Sequence, residues 1–182
     1  MNGSMTAKDL LLDQTASSHR WIEKMIDHVP AEKWGLIPAG LNTSLKWQVG
    51  HLVLSQHYHG VVVIAGPQPD LLEKLPVKAY SPYFVFGDKI GEVDERFTVE
   101  ELRASLRLVQ EKGLWAIGQL ADGDLAGPLF PRPVPHPVAT NKQEALSWNV
   151  KHNMWHCGQI GMVARAVGHP FDFKLKELTR KP

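Results

Sequence analysis

The stretch NVKHNMWHCGQIG, residues 149–161, places His152 and His156 four positions apart. On a helix, residues at that spacing stack on one face, so the two imidazoles would stand near enough to share an ion. The flanking signals predict such a helix. Thr140-Asn141-Lys142-Gln143 has the form of a capping box, and the segment runs to Val167, where Gly168 caps it and Pro170 prevents continuation. Trp148, Trp155, Ile160 and Val163 around the pair imply a largely buried helix. Two readings stand for the pair: neutral, hydrogen-bonded core histidines, or two metal ligands in need of a third. The residue after His152 is Asn153, so the general-base glutamate of a HExxH protease is absent.

Working outward, three more long segments carry helical signals. The first runs from about Thr6 to Val29, opens on a Thr6/Asp9 capping box and is stopped by Pro30. Its stripe is Leu11, Thr15, Ser18, Ile22, Met25 and Val29. The second starts at Thr43 or Ser44 and continues through LKWQVGHLVLSQHYHGVVVIAG to Gly66-Pro67, its second half apolar enough to be buried on most sides. The third opens on the Thr98/Glu101 capping box and carries Leu102, Leu106, Val109, Gly113, Ile117 and Leu120 at helical steps. Long connections separate the second, third and fourth. One holds Pro67, Pro69, Pro76, Pro82 and the apolar run YFVFG; the other, DGDLAGPLFPRPVPHPVAT, is proline-rich. Loops of that length carrying prolines and aromatics are expected to fold over one end of the helices. No internal repeat or strand alternation appears. The reading is all-α, a single domain over residues 1–182 forming a four-helix bundle with long crossover connections.

Composition narrows the function classes. Hydrophobic residues make up 43%, charged residues 21% and the net charge is +1, as in ordinary globular proteins. The longest basic concentration is the tail Lys174, Lys176, Arg180 and Lys181, read as a solvated end, and no basic stripe interleaves with aromatics, so nucleic-acid binding has no support. The single cysteine, Cys157, excludes a disulfide framework and a multi-cysteine zinc cage, and reads as a small buried residue. No signal-type or membrane-spanning apolar run is present, which makes a cytoplasmic protein the expectation. The opening MNGSM looks partly like a cloning remnant.

Of the nine histidines, His19, His28, His136 and His169 fall at positions expected to be exposed or in loops. The second helix offers HLVLSQHYH, in which His51, Ser55 and His59 share one face while His57 lies on another. Gly50 immediately precedes His51; glycine there weakens a helix, so another backbone or a ligand is expected to pass closely. Three imidazoles from two helices, with positions left open, would suit a divalent metal.

WQVGHLV (residues 47–53) and HNMWHCGQIGMV (residues 152–163) resemble the helix-two Gly-His-Leu motif and the H-x3-H-x-G-Q-I motif of the DinB-like superfamily. That superfamily includes YfiT-like metal-dependent hydrolases and DinB-type thiol transferases. VPAEKW after the first helix and the long crossovers resemble its layout as well; the proline-rich segment matches no pattern. The resemblance implies a four-helix bundle binding one divalent transition metal, zinc or nickel before iron, through His51, His152 and His156. It also implies a homodimer and a small-molecule substrate, with transfer of a low-molecular-weight thiol to an electrophile, or hydrolysis, as the activity. Gln159, His59 and Ser55 are candidates for orienting a ligand ring or lining the cavity, and His59 for a fourth ligand if the site is closed and structural. Such a centre can activate water, hold a thiol as thiolate or polarise a carbonyl. None of the 19 acidic residues has a spacing that brings it beside the three histidines, which favours the thiolate role, since that needs no separate base.

Overall fold

Helix boundaries follow local hydrogen-bond chemistry. In the computed structural model, which describes residues 5–173, helix α1 (Ala7–Asp27) opens on a reciprocal box. Thr6 Oγ1 accepts from Asp9 N at 3.2 Å and Asp9 Oδ2 accepts from Thr6 N at 3.1 Å. Helix α2 (Leu45–Gln56) is capped by Ser44, whose Oγ accepts from Trp47 N, and runs on through a π-helical turn, His57–Val62, into Val63–Ala65. Helix α3 (Val77–Phe84) lies in the first long connection, between single helical turns at Pro69–Leu72 and Val93–Arg96. Helix α4 (Val99–Gly118) has the Thr98/Glu101 box, and helix α5 is Lys142–Ala166. Residues 1–4 of the opening stretch and the basic tail from Lys174 lie outside the described residues.

The described chain is all-α; an isolated antiparallel bridge, Pro128–Asn141, is its one piece of extended pairing. Helix α1 packs against α4 and α5, and α2 packs against the same two, so each of the four long helices meets two others. The stripe read on α1 is buried throughout, as is that on α4. No helix among the described residues is long and apolar enough to cross a membrane.

Three details differ from the sequence reading. The cap of α5 is Asn141 rather than Thr140: Asn141 Oδ1 accepts from Glu144 N, and Glu144 Oε2 accepts from both N and Oγ1 of Thr140. A carboxylate is the stronger acceptor at a helix N-terminus, so the box closes on Glu144 rather than Gln143. Trp155 is 60% exposed, not buried. Helix α3 forms despite Pro82, which removes one N–H from its ladder, because burial of Tyr80 and Phe84 holds it against the core.

Two features of the packing set up the functional region. Phe84 lies directly on Gly50 of α2: a Cβ at Gly50 would stand 2.4 Å from the Phe84 ring. One layer below, a buried polar chain ties three helices together. Gln56 Nε2 donates to Asn153 Oδ1, Asn153 Nδ2 donates to Ser18 Oγ, and that hydroxyl donates to Thr15 O. These buried hydrogen bonds fix the register of α1, α2 and α5, though Gln56 Oε1 and Thr15 Oγ1 find no partner.

Candidate metal centre

His51 from α2 and His152 and His156 from α5 converge, one ring nitrogen of each lying within 4.8 Å of the other two. His152 and His156 meet through their Nε2 atoms at 3.3 Å. Two nitrogens bound to one tetrahedral ion at ~2.0–2.1 Å stand about that far apart.

The opposite ring nitrogens show how each imidazole is held. His51 Nδ1 lies 2.7 Å from the Phe84 carbonyl oxygen, which can only accept, so Nδ1 carries the proton and Nε2 a lone pair. His156 Nδ1 donates to Gln48 Oε1, while Gln48 Nε2 donates to Thr43 Oγ1 at 2.9 Å; the Thr43 hydroxyl gives its own proton to Ser44 O, which sets the amide orientation. His156 Nε2 is therefore also a lone pair. His152 Nδ1 sits 2.8 Å from Ser55 Oγ, a hydroxyl that can donate or accept. With Ser55 accepting, all three Nε2 atoms present lone pairs within 4.8 Å of one another, an arrangement that suits a cation between them. With Ser55 donating, His152 carries its proton on Nε2 and gives it to His156. The Trp47 ring stacks on His51 at 5.0 Å and completes the packing around it.

Burial holds these rings neutral. It pushes His156 down to about 3 and His152 to about 4, with the neighbouring histidines adding to the effect. His51 is lowered by burial, and its bond to Phe84 opposes part of that. Neutral imidazole is the ligating form, so protons compete weakly with a metal in mildly acidic solution.

A cavity of about 400 Å³ opens beside the triad, bordered by His51, Ser55, His57, His59, Arg132 and His152 among others. No Asp or Glu lines it. His59 does not join the triad; its Nδ1 is engaged by His136 at 2.7 Å. His57, read as lying on another face, is instead buried on the cavity wall; its N–H still bonds Val53 O as in an α-helix, so α2 itself places it there, just before the π turn. Gln159 is exposed and no described hydrogen bond links it to a histidine; Gln48, three residues before His51, takes that part. The Gln48/His51 spacing places both on one side of α2 and was the available signal. Phe84 contributes a backbone carbonyl, which no side-chain pattern announces.

The remaining histidines divide. His28 is exposed and its Nε2 meets Pro170 O. His136, in the proline-rich connection, is half-buried and bonded rather than a free surface residue. His19 is 6% exposed, with neither ring nitrogen partnered, because the buried face of α1 is wide enough to meet both α4 and α5. Cys157 is buried and its thiol is pushed up to about 11 by burial, which leaves it unreactive at neutral pH.

Two expectations follow from these contacts. Gln48→Leu removes the acceptor that orients His156, and metal affinity should fall about 10–100-fold; competition against a chelator measures it. Burial lowers His19 to about 4 from an unfolded value near 6.5. Between those values the unfolded chain binds the extra proton, so stability is intact above about pH 6.5 and declines as pH falls towards 4, by on the order of 3 kcal/mol from this residue. Urea midpoints measured across that range should fall with pH, and His19→Leu should reduce the slope.

Residues 14–160 match the family model of the DinB superfamily, and the chain belongs to that superfamily. No curated protein matches the chain.

Proposed function

We propose that this protein is a metal-dependent enzyme that transfers a low-molecular-weight thiol to an electrophilic substrate. In this reading the ring of four long helices is a four-helix bundle, and the Nε2 atoms of His51, His152 and His156 hold one divalent transition metal, zinc or nickel before iron. The observation that carries it is the set of Nδ1 partners. The Phe84 carbonyl and Gln48 Oε1 each take the Nδ1 proton of a ring, and Ser55 can do the same, leaving nitrogen lone pairs turned towards one another. A bound metal supplies a Lewis acid that keeps a thiol ionised without a separate base. The chain's own residues orient the three rings, keep them neutral by burial, and leave the side facing the cavity free of a fourth ligand.

His59, the natural fourth donor for a closed structural site, is held by His136 instead, which favours an open centre over a purely structural one. The lack of any carboxylate on the cavity wall favours thiol transfer over hydrolysis, where such a group would serve as base. The test is kinetic. Metal-loaded protein is assayed for conjugation of a small electrophile with glutathione, bacillithiol, mycothiol and cysteine. Turnover that depends on one of these thiols and on the metal is expected; its absence with all four overturns the reading.

A further inference from the structure

The proline-rich connection matched no pattern in the sequence, yet it reaches the cavity with Arg132 and, through His136, two of the residues that line it. Phe130 N donates to Val63 O at 2.8 Å, anchoring the segment to the end of α2. Beyond that anchor Arg132 lines the cavity, and His136 stacks flat on Tyr58 with ring centroids 5.6 Å apart.

The hydrogen bonds of His136 fix the proton of a second ring. Its Nδ1 accepts from the backbone N–H groups of Val138 and Ala139, at 3.2 and 3.0 Å. A backbone amide can only donate, so Nδ1 is a lone pair and neutral His136 carries its proton on Nε2. That N–H donates to His59 Nδ1 at 2.7 Å, and His59 must then carry its own proton on Nε2. His59 borders the cavity, its ring 5.9 Å from that of His152, and no described hydrogen bond engages its Nε2. The loop thereby sets a donor, never an acceptor, on the wall beside the metal centre.

Charge points the same way. Arg132 is the one permanently charged residue on the cavity wall, and no ion pair of Arg132 occurs among the described residues. An arginine fork and a fixed N–H donor, with no acid on the same cavity wall, suit a small planar anion.

We propose that the cavity seats a carboxylate of the substrate, with the Arg132 guanidinium as its counter-charge and the His59 Nε2–H as its directional donor. His136 is a positioning residue acting through His59. This names the substrate class for the thiol-transfer site, and rests on that reading only for the reaction that follows binding. A thiol or electrophile carrying a carboxylate would be oriented against the metal; a neutral analogue would not.

The test uses succinate, its neutral diamide and inorganic phosphate, titrated calorimetrically into the metal-loaded protein and into the His152→Ala, His156→Ala form, with metal content measured on both. Succinate should bind both forms and the diamide neither. Arg132→Ala, a change at an exposed loop position, should weaken succinate about tenfold or more. Long-range 1H–15N spectra of the ring nitrogens should show His59 as the Nε2–H tautomer, and a mixture of tautomers with weaker succinate binding in His136→Ala. The proposal is overturned if wild type does not bind succinate, if Arg132→Ala binds it unchanged, or if phosphate binds more tightly. It is equally overturned if His59 is the Nδ1–H tautomer, or if succinate binding disappears with the metal. Failure of the metal reading appears separately, as metal-free wild-type protein that still distinguishes succinate from its diamide.

Discussion

Replacing His152 and His156 together by alanine is expected to take bound transition metal from about one equivalent per chain to background. Both rings come from one face of α5 and meet through Nε2, so the double change leaves His51 as the sole ligand of the set. One imidazole does not hold a divalent ion against water. Elemental analysis of wild type and variant, purified side by side, makes the measurement. Metal in wild type and none in the variant is the expected pair; metal retained by the variant would place the ligands elsewhere. Thiol-dependent turnover should vanish with the metal. The stabilisation that excess metal confers on wild type, visible as a rise in Tm, should be missing in the variant, because only a native state with an intact site gains from binding. Circular dichroism guards against a trivial outcome, since Gln48 and Ser55 each lose a partner in the variant.

Gly50→Ala should be strongly damaging for a single added methyl. The new Cβ would stand 2.4 to 2.5 Å from three carbons of the buried Phe84 ring, a contact that real side chains do not make. Helix propensity favours alanine by roughly 0.5–1 kcal/mol, but overpacking costs about 1–3 kcal/mol and often more where a whole ring must move. The net effect is destabilising, measured as a lower urea midpoint. A second readout separates this site from an ordinary core position. Phe84 cannot retreat without taking its carbonyl from His51 Nδ1, so metal affinity should fall together with stability. Gly158 on α5 supplies the contrast: nothing stands within 4 Å of a Cβ there, and Gly158→Ala should stabilise by up to about 1 kcal/mol.

The long helices were legible because their signals are local. The Thr6/Asp9 and Thr98/Glu101 boxes, the stop at Pro30 and the cap at Gly168 depend on residues a few positions apart, and the structure uses them all. The buried stripes of α1 and α4 follow from the same periodicity. Gly50 announced a close approach, expected of a backbone or a ligand; what approaches is the Phe84 ring. The meeting of His51 with His152 and His156 came from the motif resemblance rather than from spacing, since no periodicity links residues a hundred positions apart. What stayed hidden was contributed by backbone or by irregular chain. The Phe84 carbonyl has no side-chain signature. The π turn that follows α2 looks, in sequence, like more α-helix. Arg132 and His136 reach the site along a proline-rich path whose course depends on where Phe130 docks. His19 was misread because one position beyond a stripe is exposed on a surface helix but covered on a helix wedged between two others.

The hydroxyl of Ser55 has a consequence for speed. Because it can give or take the proton between itself and His152 Nδ1, the same three rings in the same rotamers suit both the empty and the proposed loaded site. Passing between the two states then needs a hydroxyl rotation and a tautomer change of one ring, with no rearrangement of a helix. Capture of an ion would be limited by its own loss of hydration water, and release by the strength of its bonds to nitrogen. On the proposed reading, a site built this way would exchange metal readily, and the cation it carried would follow the supply around it more than the shape of the cavity.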